Sequence, residues 1–231
     1  MTETTGTRPH VQQRPRTADE AAVWYAAALG WPVTPAVAEP LPVDPAAAAA
    51  GPVATCPGVL AACPAVAGPW EWAASATPTL VRAVWRLSPG APVLAVLGRP
   101  VPGALRLGIV DVPSLVGVAA LERLGKNPAA AGPITDGQGR IRFLVDLGED
   151  EEPEYGLDKW RQAGVDLRVS GRGRYCPLPT PGAVGPSWVV WAIPPDPERR
   201  ALPHARQVTA VLDRAVRDAY PALWDVVTHQ P

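Results

Sequence analysis

The chain has 231 residues, long enough to bury a sizeable core in one domain. Its formal net charge of −1 excludes an overall basic field that would draw it to DNA or to an anionic membrane, and three cysteines are too few for a disulfide framework. Proline is abundant at 30 residues and arginine almost replaces lysine, as in a G+C-rich genome, so an arginine cluster carries less functional weight here than elsewhere.

Residues 1–16 are polar, lack the apolar core of a signal peptide and read as a disordered tail. No proline-free run of about 18 apolar residues occurs, so no membrane span is expected and the chain reads as soluble and cytoplasmic. Thr17 and Glu20 form a capping box for a helix over 18–29, which Gly30 stops. Trp31 to Val33 open an extended segment. Residues 37–69 read as a Pro/Ala-rich loop insertion in which Ala46 to Ala50 make one helical turn. Thr77 caps a second helix with Pro78 at its first position, carrying Leu80, Val81, Val84, Trp85 and Leu87. Ala91 to Leu97 predicts a buried strand.

Leu105 to Val112 predicts the central strand, with one carboxylate, Asp111, near its end. Pro113 has no N–H for a central ladder, so the strand is expected to stop before it. Ser114 is the expected N-cap of a helix whose Leu115, Val118, Leu121 and Leu124 share a face and which Gly125 ends. Asp136-Gly137 predicts a hairpin between 133–136 and 139–147. In its second arm Arg140, Arg142, Leu144 and Asp146 alternate with Ile141, Phe143, Val145 and Leu147, which predicts one buried face. Glu149 to Glu154 is a solvated acidic run. A helix over 153–163 holds Trp160 inward and stops at Gly164. Val165 to Val169, an edge strand within 171–181, and Ser187 to Ile193 are the remaining strands. Helices over 203–220 and 221–228 close the chain. This mixture indicates an α+β fold, with 17–200 as one domain and 201–231 as C-terminal helices.

The stretches AAVWYAAALGWPVTP, ATPTLVRAVWRLSPGAPVLAVLG, ALRLGIVDVPSLVGVAALERLG, DGQGRIRFLV and GVDLRVSGRGRYCPLPTP follow one another over roughly residues 18–193. In that order they resemble the bifunctional DNA primase/polymerase (prim-pol) domain of the archaeo-eukaryotic primase superfamily, closest to degenerate actinobacterial-type members. The resemblance implies a mixed sheet flanked by helices, with an RRM-like half. It also implies a central strand ending in two acids two residues apart, which share Mg²⁺ or Mn²⁺ bound to nucleotide phosphates. Asp111 matches the first acid, and Pro113 stands at the second and offers no ligand. The family's histidine falls on Ile141, or on Arg142 if the register shifts by one. A third acid is matched by Asp166.

The implied catalytic and metal set is thus reduced to Asp111 and Asp166. Read from the residues alone, Asp111 serves equally as a strand end beside the Ser114 cap, and Asp166 as an exposed strand carboxylate. Arg140, Arg142, Arg168, Arg172 and Arg174 are candidates for nucleotide phosphates, since guanidinium forks suit phosphate; solvated arginines are the plainer reading. Cys56 and Cys63 sit where some relatives carry a zinc cluster, but two ligands do not close a tetrahedral site, and an insertion without metal is the default. Trp70, Trp72, Trp85 and Trp160 read as packing residues. The expected function is a divergent, non-catalytic prim-pol-like domain that binds nucleotide or single-stranded nucleic acid. The alternatives are a protein-interaction or regulatory domain and an active DNA primase/polymerase.

Overall fold

The computed structural model of the protein describes residues 15–37, 66–67, 74–98, 106–124, 132–149, 160, 164–182 and 189–219. Helix α1 (Ala18–Leu29) starts at Thr17, whose hydroxyl accepts from the Glu20 N–H at 3.3 Å. Glu20 in turn accepts from the Arg16 N–H at 2.7 Å, one residue earlier than a capping box requires. Gly30, at φ 72°, ends the helix in the left-handed conformation. Strand β1 (Val33–Val37) pairs with β2 (Val66–Ala67), a short strand inside the expected loop insertion. Helix α2 (Pro78–Leu87) follows Thr77, which supplies no side-chain cap; the Ser75 hydroxyl accepts from the Thr77 N–H instead. Val81 and Trp85 are its buried residues, while Leu80 and Leu87 are exposed. Strand β3 (Val93–Val96) lies between β1 and an edge strand described below.

Strand β4 (Leu107–Pro113) runs straight into α3 (Ser114–Leu124), followed by β5 (Ile134–Gly137), β6 (Arg140–Asp146), β7 (Arg168–Ser170), β8 (Tyr175–Pro177), β9 (Val190–Ile193) and α4 (Ala205–Ala219). The strands divide into a four-stranded sheet, β2-β1-β3-β8, and a five-stranded sheet, β7-β4-β6-β5-β9. Every strand pairing in them is antiparallel. The fold is α+β, as expected. One face of the larger sheet, with Val110, Val112, Phe143 and Val145, packs against Val116 and Ala120 of α3 and Leu212 and Val216 of α4. The other face, with Leu107, Ile109 and Leu144, joins Val93, Ala95 and Cys176 of the smaller sheet and Ala22, Tyr25 and Leu29 of α1. Both faces of β4 and β6 are therefore covered. No helix among the described residues is long and apolar enough to cross a membrane.

Several expectations are corrected. Strand β4 continues through Pro113, which lies opposite Arg140. The Ser114 N–H donates to the Gly139 carbonyl, so alternation turns the Pro113 nitrogen toward the β7 side, beyond the last β4–β7 rung at Asp111 and Arg168. No ladder hydrogen bond is missing there. Ser114 is the first residue of α3 and not a cap set before it. The hairpin turns at Gln138-Gly139, both at positive φ (60° and 71°), and not at Asp136-Gly137, whose residues pair within the ladder. Strand β7 begins at Arg168, which leaves Asp166 in the loop before it. Cys56, Cys63, Trp70, Trp72, the alanine run, most of the acidic run and the last expected helix lie outside the described residues, as does the 153–163 helix except for buried Trp160.

The inner face of α3 is also other than expected. Leu115 and Val118 are exposed, whereas Val116, Gly117, Ala119 and Ala120 are buried. Small residues let the helix approach β6 so closely that a Cβ at Gly117 would lie 2.5 Å from the Ile141 Cβ. Alanine is the better helix former by about 1 kcal/mol, but overpacking a rigid β-branched neighbour costs about 1–3 kcal/mol. Gly117→Ala is therefore expected to lower the denaturation midpoint, measured by urea unfolding, and an unchanged or raised midpoint would contradict this approach.

Candidate functional site

Strand alternation puts Ile109, Asp111 and Pro113 on one face of β4, and Arg140, Arg142 and Leu144 on the same face of β6. The register then aligns one row across the larger sheet: Arg168 on β7, Asp111 on β4, Arg142 on β6, Thr135 on β5 and Trp191 on β9. This row lies on the face turned to the smaller sheet. Asp111, Arg142 and Thr135 are all 0% exposed.

Arg140, one rung further along, is the hub. Its Nε donates to Asp111 Oδ1 at 3.0 Å, and its Nη1 to Asp166 Oδ2 at 3.1 Å. Its Nη2 donates to the backbone carbonyls of Asp111 at 3.3 Å and Asp166 at 2.9 Å. One guanidinium thus ties the end of β4 to the loop before β7. Arg168 closes the outer side with a two-pronged contact to Asp166, Nε to Oδ1 at 2.6 Å and Nη2 to Oδ2 at 2.7 Å. Arg142 lies 3.7 Å from Asp111 Oδ1 through its Nε, too long for a hydrogen bond.

The two carboxylates sit in different settings. Asp111 is fully buried, and the Asp166 side chain is 49% exposed. Burial raises the pKa of Asp166, but hydrogen bonds and charge from Arg168 and Arg140 outweigh it and hold the carboxyl below its ordinary range. Behind the row, the Cys176 thiol of β8 senses the charges of Arg142 and Asp111. Burial pushes it up to about 12, so it stays a neutral thiol at pH 7. Tyr25 of α1 is also driven upward by burial and remains a phenol; it donates to the Pro179 carbonyl at 2.6 Å and accepts from Trp191 Nε1 at 3.2 Å.

Residues 22–218 match the family described as bifunctional DNA primase/polymerase, N-terminal. The chain belongs to this family. No curated protein and no solved structure matches it. In this prim-pol domain the fold brings Asp111, Asp166, Arg140, Arg142 and Arg168 together. Arg172 and Arg174 lie elsewhere: both are exposed in the turn between β7 and β8, where the backbone of Arg172 crosses Gly98 and the Arg174 carbonyl accepts from the Leu97 N–H. Ile141 faces the opposite side of β6 and packs on α3, so of the two positions proposed for the family's histidine, Arg142 is the one that shares a face with Asp111. The expectation of one buried face on β6 is corrected, because the smaller sheet and α1 cover the arginine side. Thr135 and Cys176 were not legible as site residues. Their neighbours come from other strands, and only Arg140 and Arg142, alternating with apolar residues in β6, hinted at a buried polar row.

Breaking a buried ion pair by deleting one partner costs about 3–5 kcal/mol, whereas an exposed pair contributes about 0–1 kcal/mol. Asp111→Ala is expected to show the larger loss and Asp166→Ala the smaller one in urea unfolding at pH 7. The folded pKa of Asp166 is depressed, so its stabilisation is present above the unfolded value of about 3.9 and is lost as pH falls through the folded value. Asp166→Asn should flatten the acid limb of the stability curve below about pH 4, and an unchanged limb would contradict the pairing.

Proposed function

We propose that this prim-pol domain does not transfer nucleotides and that Arg140 takes the place of the metal its family would use. The supporting observation is the single guanidinium bridging Asp111 and Asp166 through four hydrogen bonds. Arginine stays charged at any physiological pH, so the two carboxylates share a permanent cation with no Lewis acidity and no exchangeable coordination position.

The residues present do not fit a pair of Mg²⁺ or Mn²⁺ ions. Two-metal catalysis needs several oxygen ligands around dications roughly 3.5–4 Å apart. Here both carboxylates engage Arg140, Pro113 offers no donor, and among the described residues no group of three or more His, Cys, Asp or Glu is placed to hold a metal ion. A dication would have to displace Arg140 and then stand beside Arg142 and Arg168, against their repulsion.

The binding role that we infer uses the exposed arginines. Arg140 and Arg142 are too buried to meet a nucleotide phosphate, whereas Arg168, Arg172 and Arg174 are exposed. Arg172 and Arg174 at the β7–β8 turn would contact the phosphates of a nucleotide or of single-stranded nucleic acid. Such a domain works in the cytoplasm, the location we infer.

Primer extension by the full chain, with a primed single strand, deoxynucleotides and Mn²⁺, tests the first part. No product is expected, and millimolar Mn²⁺ should leave the Tm of the wild type unchanged. The double variant Arg140→Ala/Arg168→Ala should acquire an Mn²⁺-dependent rise in Tm, because only removal of both arginines frees the two carboxylates. Manganese-dependent product from the wild type that disappears in Asp166→Asn would overturn the reading; Asp166 is suited to this because its exposure makes loss of folding an improbable cause. For the second part, replacing both Arg172 and Arg174 by alanine should weaken binding of labelled single-stranded DNA in fluorescence anisotropy. The slope of log affinity against log salt should fall by about 1.4, the value for two lost phosphate contacts. An identical slope would count against those two residues.

A further inference from the structure

Helices α1 and α2 line a cavity of about 790 Å³, the size of a small-molecule site. It shares no residue with the Arg140 row or with the β7–β8 turn. From α2 it takes Arg82 and Arg86, four residues apart and so neighbours on one face of the helix. Both are exposed, and among the described residues neither guanidinium has an ion-pair or hydrogen-bond partner. From the first turn of α1 it takes Asp19 and Glu20, and from the next turn Trp24. Arg16, whose backbone N–H donates to Glu20 at 2.7 Å, adds a third guanidinium, so cations outnumber carboxylates in the lining. Opposite charges therefore share one cavity without pairing across it. The aromatic lining is held in place. Tyr25 meets the partly buried Trp24 edge-on, with centroids 5.3 Å apart and planes at 69°. Buried Trp85 of α2 donates through Nε1 to the Ala91 carbonyl at 3.1 Å.

We infer that this cavity binds a single nucleoside phosphate, held without a metal ion. Its phosphate sits on Arg82 and Arg86, where two guanidinia offer planar forks to phosphate oxygens. Its base lies against Trp24, because an aromatic side chain can stack on the face of any base. Its sugar hydroxyls or base amino group donate to Asp19, a carboxylate that can only accept. An inorganic phosphate would use the arginines alone and leave most of the cavity to water. A continuing strand of DNA or RNA would carry further phosphates past Asp19 and Glu20, against their repulsion. A free nucleotide has its charge at one end and its donors at the other, and the separated charges of the lining suit it. This site goes beyond the phosphate contacts inferred for Arg172 and Arg174, and it rests neither on them nor on Arg140.

Isothermal titration calorimetry on the full chain, with a chelator present, compares adenosine monophosphate, adenosine and inorganic phosphate. The nucleotide should bind saturably, and adenosine and phosphate should each bind more weakly by about tenfold or more. Replacing Arg82 and Arg86 together by alanine should weaken the nucleotide by about tenfold or more and leave adenosine unchanged. Trp24→Leu should weaken nucleotide and adenosine alike. The double variant Arg172→Ala/Arg174→Ala should keep the nucleotide affinity of the wild type. The inference is overturned by absence of saturable binding at millimolar nucleotide, by binding that needs added Mg²⁺ or Mn²⁺, or by an affinity that survives loss of Arg82 and Arg86. Inorganic phosphate binding as tightly as the nucleotide would reduce the site to an anion patch and overturn it too. Loss of binding in the Arg172/Arg174 variant would place the nucleotide at the β7–β8 turn, with the same consequence. Arg82 and Arg86 are exposed and can be replaced without disturbing the core, so their variant decides the matter even if Trp24→Leu fails to fold. Primer extension and the salt slope of single-stranded DNA binding are separate readouts, so the roles assigned to Arg140, Arg172 and Arg174 stand or fall separately.

Discussion

The guanidinium of Arg140 is gripped by a buried carboxylate, a half-exposed carboxylate and two backbone carbonyls, and the polar centre of the domain takes its shape from that grip. Asp111 is fully buried between the two sheets, where an unpaired carboxylate would be strongly unfavourable. It is tolerable because β6 delivers a fixed cation one rung away. The same cation reaches across to the loop before β7, so the edge of the larger sheet is held by charge as well as by its ladder. A planar five-donor group does this better than a lysine ammonium, whose point charge cannot face two carboxylates and two carbonyls at once.

The polar row is embedded in apolar and aromatic packing that joins the two sheets. Tyr25 stacks on Trp31 with ring planes 8° apart and centroids 6.0 Å apart, and both rings contact Trp191. The Tyr25 hydroxyl links the Trp191 indole to the carbonyl of Pro179, after β8. Helix α1, the edge strand β9 and the segment following β8 are thereby fastened at one phenol. Low-dielectric walls of this kind strengthen the Asp111–Arg140 interaction and raise the cost of any polar atom left unpaired.

A polymerising site needs carboxylates that water and metal can reach. In this prim-pol domain the corresponding strand end carries one acid, and the fold seals it beneath an arginine from the adjacent strand. The sheet itself does not depend on the acids, because apolar core clusters pack on either side of β4. What the scaffold still presents to solvent is a basic turn between β7 and β8, set at the smaller sheet and away from the buried row.

Much of the architecture was legible without coordinates. Thr17 and Gly30 mark the ends of α1, and the apolar runs mark β3, β4 and β9, because these depend on local backbone chemistry and on burial of contiguous apolar residues. Asp111 was legible as a carboxylate in a core strand. Local signals misled where neighbours decide the outcome. Leucines suggested one inner face for α3, but the close approach to Ile141 selected the small-residue face. Asp136-Gly137 looked like the turn, but pairing of β5 with β6 placed it two residues later, at the cost of a left-handed Gln138. Alternation announced that Arg140 and Arg142 share a face, yet not that the face is buried, nor that Asp111 lies opposite. Sequence alone determined which residues are charged, which are apolar and how they alternate. Only tertiary structure decided which charge meets which, because partners on different strands are set by register and by what covers the sheet, and neither is a property of any one segment.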